Sequence, residues 1–448
     1  MVKWLPTFPT FWAPAGLGLA VAAMLLCAPS AAAGQDAATL LADQLRASKE
    51  RPLTDRLPDK PSLPPAFTIP AEPLGYSVPS TGYLGQRWCF VSLDFLDENR
   101  LLFTFRVPGL IRRDAGDSDK RQIRAVVLAL PAGTVQASAL WSLHDRARYL
   151  WMLKDGHFLL RDQDNLEQGD ATLELKPYLR FQGPLLWLGM DPTQQFLVTN
   201  SREPATAVGK SGDVPSPTSA QANIVVDGPR AAGEPDLVLR ILRRDSGQVM
   251  LVSRVRSMVH LPINSDGFLE GLRGNGERWL LNLNYFSGGS RILGHFDSKC
   301  SPTYDFVSEH EVLVTACVGA GAGGLVAMST DGRRLWQDLT SVAPVWPLIV
   351  RSPDGSRLAR ETLASIRPIS ASSPLDSDDV KGQLVRVFDA ATGQVALEAS
   401  AIPALDAGGN VAISPSGRRV AILNGGAIQV FELPPPPPLP DASASAAH

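Results

Sequence analysis

An apolar run, a turn of the Ser-Pro-Asp-Gly kind and a second apolar run recur along this 448-residue chain, and no other feature limits its possible folds so strongly. Two copies are clear, Ser352-Pro353-Asp354-Gly355-Ser356-Arg357-Leu358 and Ser414-Pro415-Ser416-Gly417-Arg418-Arg419-Val420. A looser relative is Asp331-Gly332-Arg333-Arg334-Leu335-Trp336. Proline presets φ at the second turn position, Asp or Ser bonds back to its own backbone, and glycine accepts positive φ. Each phrase is therefore a tight turn joining two strands. Recurrence at intervals of tens of residues marks a repeat architecture.

The apolar runs between such turns group into units. The first runs from Phe90 to Leu143, with turns at Asp97-Glu98-Asn99 and Pro131-Ala132-Gly133 and an insertion between its middle strands. The second spans Tyr149 to Phe181 and the third Leu185 to Val255, the latter interrupted by residues 201–234, whose Pro, Ala, Ser and Gly content predicts disorder. The fourth runs from His260 to Phe296, the fifth from Tyr304 to Leu339, and the sixth, the most regular, from Trp346 to Ala399. The seventh, from Val411 to Leu433, has only three strands, and the missing one is expected from within Ala66–Leu84. Four antiparallel strands in succession make one blade of a β-propeller, and a blade completed from both chain ends closes the ring and removes exposed edges. The expected fold is all-β, a seven-bladed propeller over residues 66–433, with six or eight blades as alternatives.

The turns at Pro353, Asp354, Gly355 and at Pro415, Ser416, Gly417, together with Val385-Arg386-Val387-Phe388-Asp389 before Ala391-Thr392-Gly393, resemble the WD-repeat-like propellers of the TolB type. The resemblance implies that the Ser-Pro-Asp-Gly turn links the two innermost strands of a blade. It covers fold and carries no site residues.

The ends of the chain read differently. Residues 1–33 hold Lys3, the apolar stretch Leu17–Leu26 and then Ala31-Ala32-Ala33, the pattern of a secretory signal peptide cleaved after Ala33. The apolar core falls short of the roughly 20 residues of a membrane span, so an uncleaved anchor and lipidation at Cys27 are the alternatives. Residues 34–65 read as a short helix over Ala37–Arg51 and a proline-rich lead-in along the domain surface, and 434–448 as a polyproline piece with a flexible end. The mature chain is expected in the periplasm or secreted. No second long apolar segment follows, and the net charge of −3, spread without long runs, argues against nucleic acid or an anionic membrane as partner. A monomer with a protein or cell-envelope ligand is expected.

Beyond the signal peptide stand Cys89, Cys300 and Cys317. If the hairpin of Tyr304–Val307 and Glu311–Thr315 turns on Ser308-Glu309, Cys300 and Cys317 fall opposite each other, and a disulfide between them is expected, with two separate thiols as the alternative. Cys89, between Trp88 and Phe90, reads as buried and inert.

Chemistry leaves few marks. The sequence has no Gly-x-Ser-x-Gly elbow, phosphate-binding Gly-x-x-x-x-Gly-Lys loop, His-Glu-x-x-His pair or Cys-x-x-Cys. His144, His157, His260, His295, His310 and His448 come from different units, and only the propeller axis could gather them. Gly319–Gly324 reads as a hairpin link, Asp331, Gly332 and Trp336 as a turn followed by a core or inter-blade tryptophan, and Asp376, Asp378 and Asp379 as a solvated acidic loop. No catalytic, cofactor or metal residue is assigned. These readings favour an exported, non-catalytic scaffold that binds a protein or ligand on a face lined by loops. The alternative is a propeller enzyme, a quinoprotein-like oxidoreductase or a glycan lyase or hydrolase, with residues dispersed around the axis. A convergent axial cluster of His, Arg and carboxylates would point to catalysis, and a plugged apolar axis to binding. If the signal peptide reading is right, Edman sequencing of the exported chain will begin at Gly34; an intact Met1 on the exported protein would refute it.

Overall fold

A computed structural model describes residues 56–78, 91–107, 120–144, 148–203, 236–255, 257–318, 321–339, 347–365, 380–402, 404–405 and 409–435. All of them belong to one compact unit, Leu53–His448. The expected signal peptide, the helix over Ala37–Arg51, Cys27, Cys89, His448, most of the 201–234 insertion, the three aspartates of the acidic loop and the end of the polyproline tail lie outside them.

The chain forms a ring of seven antiparallel sheets. Its first strand, β1 (Phe67–Pro70), belongs to the last sheet. Blade 1 is β2 (Ser92–Asp97), β3 (Arg100–Arg106), β4 (Arg121–Ala129) and β5 (Thr134–Leu143). Blade 2 is β6 (Leu150–Met152), β7 (Phe158–Asp162), β8 (Asn165–Gly169) and β9 (Lys176–Arg180). Blade 3 is β10 (Leu185–Met190), β11 (Phe196–Glu203), β12 (Asp236–Arg243) and β13 (Val249–Val255). Blade 4 has three full strands, β14 (Gly267–Arg273), β15 (Arg278–Tyr285) and β16 (Ser290–Asp297); Leu261-Pro262-Ile263 takes the innermost place through a single Ile263–Phe268 bridge. Pro262 has no backbone N–H to give a longer ladder. Blade 5 is β17 (Thr303–Ser308), β18 (Glu311–Val318), β19 (Gly321–Ser329) and β20 (Arg334–Asp338). Blade 6 is β21 (Leu348–Arg351), β22 (Arg357–Ser365), β23 (Val380–Asp389) and β24 (Val395–Ala401). Blade 7 is β25 (Val411–Ile413), β26 (Arg419–Asn424) and β27 (Ala427–Glu432), completed by β1 in the order β1-β27-β26-β25.

Residue pattern follows position in the blade. The inner strand β3 is buried across Leu101–Phe105, whereas outermost β5 alternates and leaves Val135 and Leu140 exposed. Closure pairs Phe67 with Val430 and Ile69 with Ile428, and Ile69 joins a core that runs from Val430 and Ala421 in blade 7 to Leu93, Phe103 and Phe105 in blade 1. The lead-in then covers a second edge: Ser62 N–H donates to Glu398 O on β24 at 2.8 Å, and Glu398 N–H donates back to Ser62 Oγ at 2.8 Å.

The Ser-Pro-Asp-Gly turns do more than reverse the chain. Ser352 Oγ accepts from Arg357 N–H at 2.9 Å, Asp354 Oδ1 accepts from Ser356 N–H at 2.9 Å, and Gly355 sits at φ 78°, which favours glycine. Neighbouring turns are then tied to one another. Asp354 N–H donates to Pro415 O at 3.2 Å between blades 6 and 7, and Ser416 N–H donates to Glu98 Oε1 at 2.7 Å between blades 7 and 1. Lys154 N–H bonds Gln194 Oε1 at 2.7 Å between blades 2 and 3, and Ser265 N–H bonds Glu309 Oε2 at 2.9 Å between blades 4 and 5.

Blade 5 carries two further contacts. Cys300 and Cys317 form a disulfide with their Cα atoms 5.6 Å apart. Trp336 clasps blade 5 to blade 6: its Nε1 donates to Ala390 O at 2.5 Å and its ring stacks on Phe388 at 5.9 Å between centroids. A Cβ on Gly393 would fall 2.5 Å from that indole, so the turn after β23 admits only glycine. The Asp331-Gly332 turn precedes it, with Ser329 Oγ bonded to Asp331 Oδ1 and Gly332 at φ 93°. One expectation needs correction. The glycine run read as a hairpin link is strand from Gly321 onward, because β18 continues to pair with it, Ala316 opposite Gly324, and Arg360 Nη1 binds Gly323 O at 3.0 Å.

Trp336→Ala removes a half-buried stack and a hydrogen bond, and is expected to lower unfolding free energy by about 2–4 kcal/mol in urea denaturation. A loss under about 0.5 kcal/mol would show that blade docking does not run through this residue.

Candidate functional site

Strand direction alternates within each blade, so the ring has two unlike faces. The tight turns leaving the inner strands lie on one. The connections from Arg106 to Arg121, Glu203 to Asp236 and Ser365 to Val380, and those entering each inner strand, leave from the other. The inner strands of all seven blades surround an axial channel of about 550 Å³.

Side chains that a sequence reader would assign to separate blades meet on its wall. Asp94, on β2, accepts from Ser92 Oγ at 2.6 Å, and burial pushes its carboxyl up to about 6 even though that bond and the nearby Arg148 favour the ionised form. Arg148, just before β6, is solvent-accessible within the ring, its Nε donating to Leu150 O at 3.1 Å and its guanidinium lying over the Trp151 ring at 5.5 Å. Enclosure lowers its pKa, Asp94 opposes that, and the like charge of Arg351 adds to it. Arg351 Nη2 lies 3.4 Å from Asp305 Oδ2, which links blades 6 and 5 across the wall. His260 stands edge-on to Trp187 at 5.0 Å, and Tyr149 exchanges a 2.6 Å hydrogen bond with Thr104 Oγ1. Burial raises the Tyr149 phenol, keeping it neutral.

Glu361 differs from all of these. It lies on β22 opposite Leu348 and Val385, at the end of the channel where the long connections leave, and is 1% exposed. Among the described residues neither carboxyl oxygen has a hydrogen-bond partner. Burial alone, with no neighbouring charge contributing, pushes its pKa up to about 8, so it is protonated at neutral pH. Its neighbour Arg360 points to the other side of the strand, where Asp338 Oδ2 lies 3.0 Å away.

The residues singled out from sequence take other places. Asp354, Gly355, Pro415, Ser416, Gly417, Asp331 and Gly332 serve turns, and only Pro353 among the turn residues named borders the channel. His260 alone of the described histidines lines it, since His144 pairs with Asp162 at 3.0 Å, His157 with Asp155 at 3.2 Å, and His295 and His310 lie elsewhere. Among the described residues no three His, Cys, Asp or Glu side chains are placed to share a metal ion. Sequence reasoning missed Asp94, Arg148 and Glu361. The one available signal was Arg360-Glu361, a charged pair inside the strand that follows the clearest turn, where a propeller buries every position.

No family model and no curated protein matches this sequence. Among solved structures, it is similar to the uncomplexed Pyrococcus horikoshii acylaminoacyl peptidase, at 11% identity and a TM-score of 0.46 over 78% of this chain and 52% of that one. It is also similar to an acylaminoacyl peptidase in complex with Z-Gly-Gly-Phe-chloromethyl ketone, at 10% identity and a TM-score of 0.44 over 78% and 52%. The chain spans about half the length of those structures. Fold and site together define a seven-bladed β-propeller whose axial channel carries several charged side chains on a largely apolar wall.

A buried carboxyl with a raised pKa destabilises the native state once the unfolded chain can ionise and the folded one cannot. Glu361 contributes nothing below its ordinary value of 4.5, and its destabilisation is complete above about 8. Glu361→Gln should therefore match wild type near pH 4.5 and exceed it by roughly 2–5 kcal/mol at pH 9 in denaturation measured across pH. A constant difference between the two proteins at every pH would show that Glu361 is ionised or paired in the native state.

Proposed function

We propose that this protein is an exported, non-catalytic β-propeller that binds a small polar ligand in its axial channel, with the ring holding the wall residues in fixed positions. The observation that carries this reading is the convergence of Asp94, Arg148, Arg351 and Asp305, from four blades, on one cavity of about 550 Å³. Charged groups held in a cavity of this size by rigid strands are preorganised for a ligand and lose little entropy on binding it. The open axis with His260, Arg148, Arg351 and carboxylates on its wall is the arrangement expected above of a propeller enzyme and not the plugged apolar axis expected of a binding scaffold, so it is the accessibility of these groups that favours binding.

The axial enzyme is the second reading, and the raised pKa values of Asp94 and Glu361 favour it. Accessibility weighs against it. The oxygens of Glu361 are closed off from water, and those of Asp94 are engaged by Ser92 and attracted by Arg148. A general acid must reach the substrate atom it protonates.

The test fills the channel without touching the core. Thr303 is exposed at its mouth, and Thr303→Trp places an indole there. In a thermal-shift screen of metabolite-sized compounds, wild type should show stabilising ligands that Thr303→Trp no longer responds to. Ligands that stabilise both proteins equally, or none at all, would refute axial binding.

A further inference from the structure

Arg148 presents an unused edge to the channel. Its Nε donates to Leu150 O at 3.1 Å, and its plane lies over Trp151 at 5.5 Å, a buried ring with Arg161 also over it at 5.7 Å. Those contacts hold the guanidinium in place. Among the described residues neither of its Nη nitrogens has a hydrogen-bond or ion-pair partner, and the side chain is exposed on the channel wall.

The carboxyl groups of the wall are placed differently. Asp305 Oδ2 lies 3.4 Å from Arg351 Nη2, and its Oδ1 accepts from Phe306 N–H at 2.9 Å. Asp191 accepts from Phe196 N–H at 2.6 Å and Thr193 N–H at 2.9 Å inside its own turn, and Asp94 accepts from Ser92 Oγ at 2.6 Å. Glu361 is closed off within its blade and meets no channel ligand. The Nη edge of Arg148 is therefore the donor that a ligand can use. Such an edge suits an oxyanion, because two parallel N–H groups match two carboxylate oxygens in one plane. A second cation bears on the same space: enclosure lowers the Arg148 pKa most, and the like charge of Arg351 lowers it further.

Resting on the axial-binding reading above, we propose that the ligand is a small organic monocarboxylate, its carboxylate accepting from both Nη groups of Arg148 and its apolar body lying against the channel wall. That wall supplies Trp187, Met190 and Val350, all half-buried. A second negative charge on the ligand is disfavoured, since Asp305 leaves 43% of its side chain exposed on the same wall.

Asp94 is the group that opposes an anion beside Arg148. From blade 2 it feels Arg148 and Tyr149, the latter a phenol kept neutral by burial. Leu102 opposite it on β3 is apolar, as is Val411–Ile413, the strand of blade 7 that packs on β2. Burial, against Ser92 and Arg148, already pushes the Asp94 carboxyl up to about 6. An arriving anion raises it further, so Asp94 takes a proton from solvent and the repulsion is removed without contact between the two carboxyl groups.

The experiment follows binding of 3-phenylpropionate, its uncharged amide and inorganic phosphate to the full exported chain by ligand-observed NMR titration. The carboxylate should bind, with the amide about tenfold weaker or worse and phosphate no better than the amide. Arg148→Met, which keeps a stem over Trp151, should lose about tenfold or more of the carboxylate affinity, and Arg148→Lys, which keeps the charge without the fork, about threefold or more. At pH 8, Asp94→Asn should strengthen carboxylate binding by about threefold or more, and the two proteins should converge at pH 5. His260 and Arg351 are present in both, so their effects cancel in that comparison. No carboxylate binding, equal binding of the amide, phosphate binding tighter than the carboxylate, or unchanged affinity in both Arg148 variants would overturn the proposal. Weaker binding in Asp94→Asn would do so as well, because it makes Asp94 the partner of a cationic group on the ligand. The Thr303→Trp channel-filling variant separates the two readings. A ligand of another class that is lost from Thr303→Trp but kept by Arg148→Met leaves axial binding standing and removes only the monocarboxylate. Carboxylate binding that survives Thr303→Trp places the site outside the channel and overturns both.

Discussion

The pairing of β1 with β27 is the contact on which the rest of the structure depends. Four residues near the start of the described chain, Phe67–Pro70, complete a sheet whose other strands are the last three of the ring. An open propeller would leave two unpaired strand edges and split the core shared by blades 7 and 1. Closure turns seven marginal sheets into one body, because each blade buries its faces against both neighbours. The loop-closure entropy of joining residues so far apart grows only slowly with chain length, so a short apolar strand suffices.

That closed ring is also what makes the channel a site. No blade alone presents at its inner strand enough polar side chains to recognise anything, and that of blade 7, Val411–Ile413, presents none. Seven of them facing one axis enclose those groups, reduce their contact with water and force them to answer one another. Asp94 and Arg148 affect each other's protonation from adjacent blades, and Arg351 reaches Asp305 on the blade beside its own. Glu361 is the exception, buried by the same packing but without a hydrogen-bond partner among the described residues. Stability alone would replace it with an apolar residue.

The two faces of the ring divide the work. Tight turns bonded to one another, Asp354 to Pro415 and Ser416 to Glu98 among them, stiffen one rim. The other rim is where the longer connections depart and where Arg148, His260, Thr303 and Glu361 stand at the channel end. Rigid strands with variable links on one face are a common arrangement for positioning a site.

Much of the fold was legible because it is written in local chemistry. Proline, Asp and glycine at set offsets specify turns such as Ser352–Gly355 whatever lies around them, and apolar runs between turns specify strands, so the number of blades and the borrowed closing strand follow from counting. The three-stranded blade 4 was less legible, since Leu261-Pro262-Ile263 is apolar like an inner strand and only the ladder shows that Pro262 limits it to one bridge. The site was hardly legible at all. Asp94, Arg148 and Glu361 are separated by 54 and 213 residues along the chain, and nothing near any of them in sequence marks it as part of a cluster. Local sequence determined the turns, the strands and the ring; which charges meet at the axis, and which one is left unpaired there, was decided only when blades far apart in sequence were packed around a common centre, because partnership and desolvation are properties of that packing and not of any residue alone.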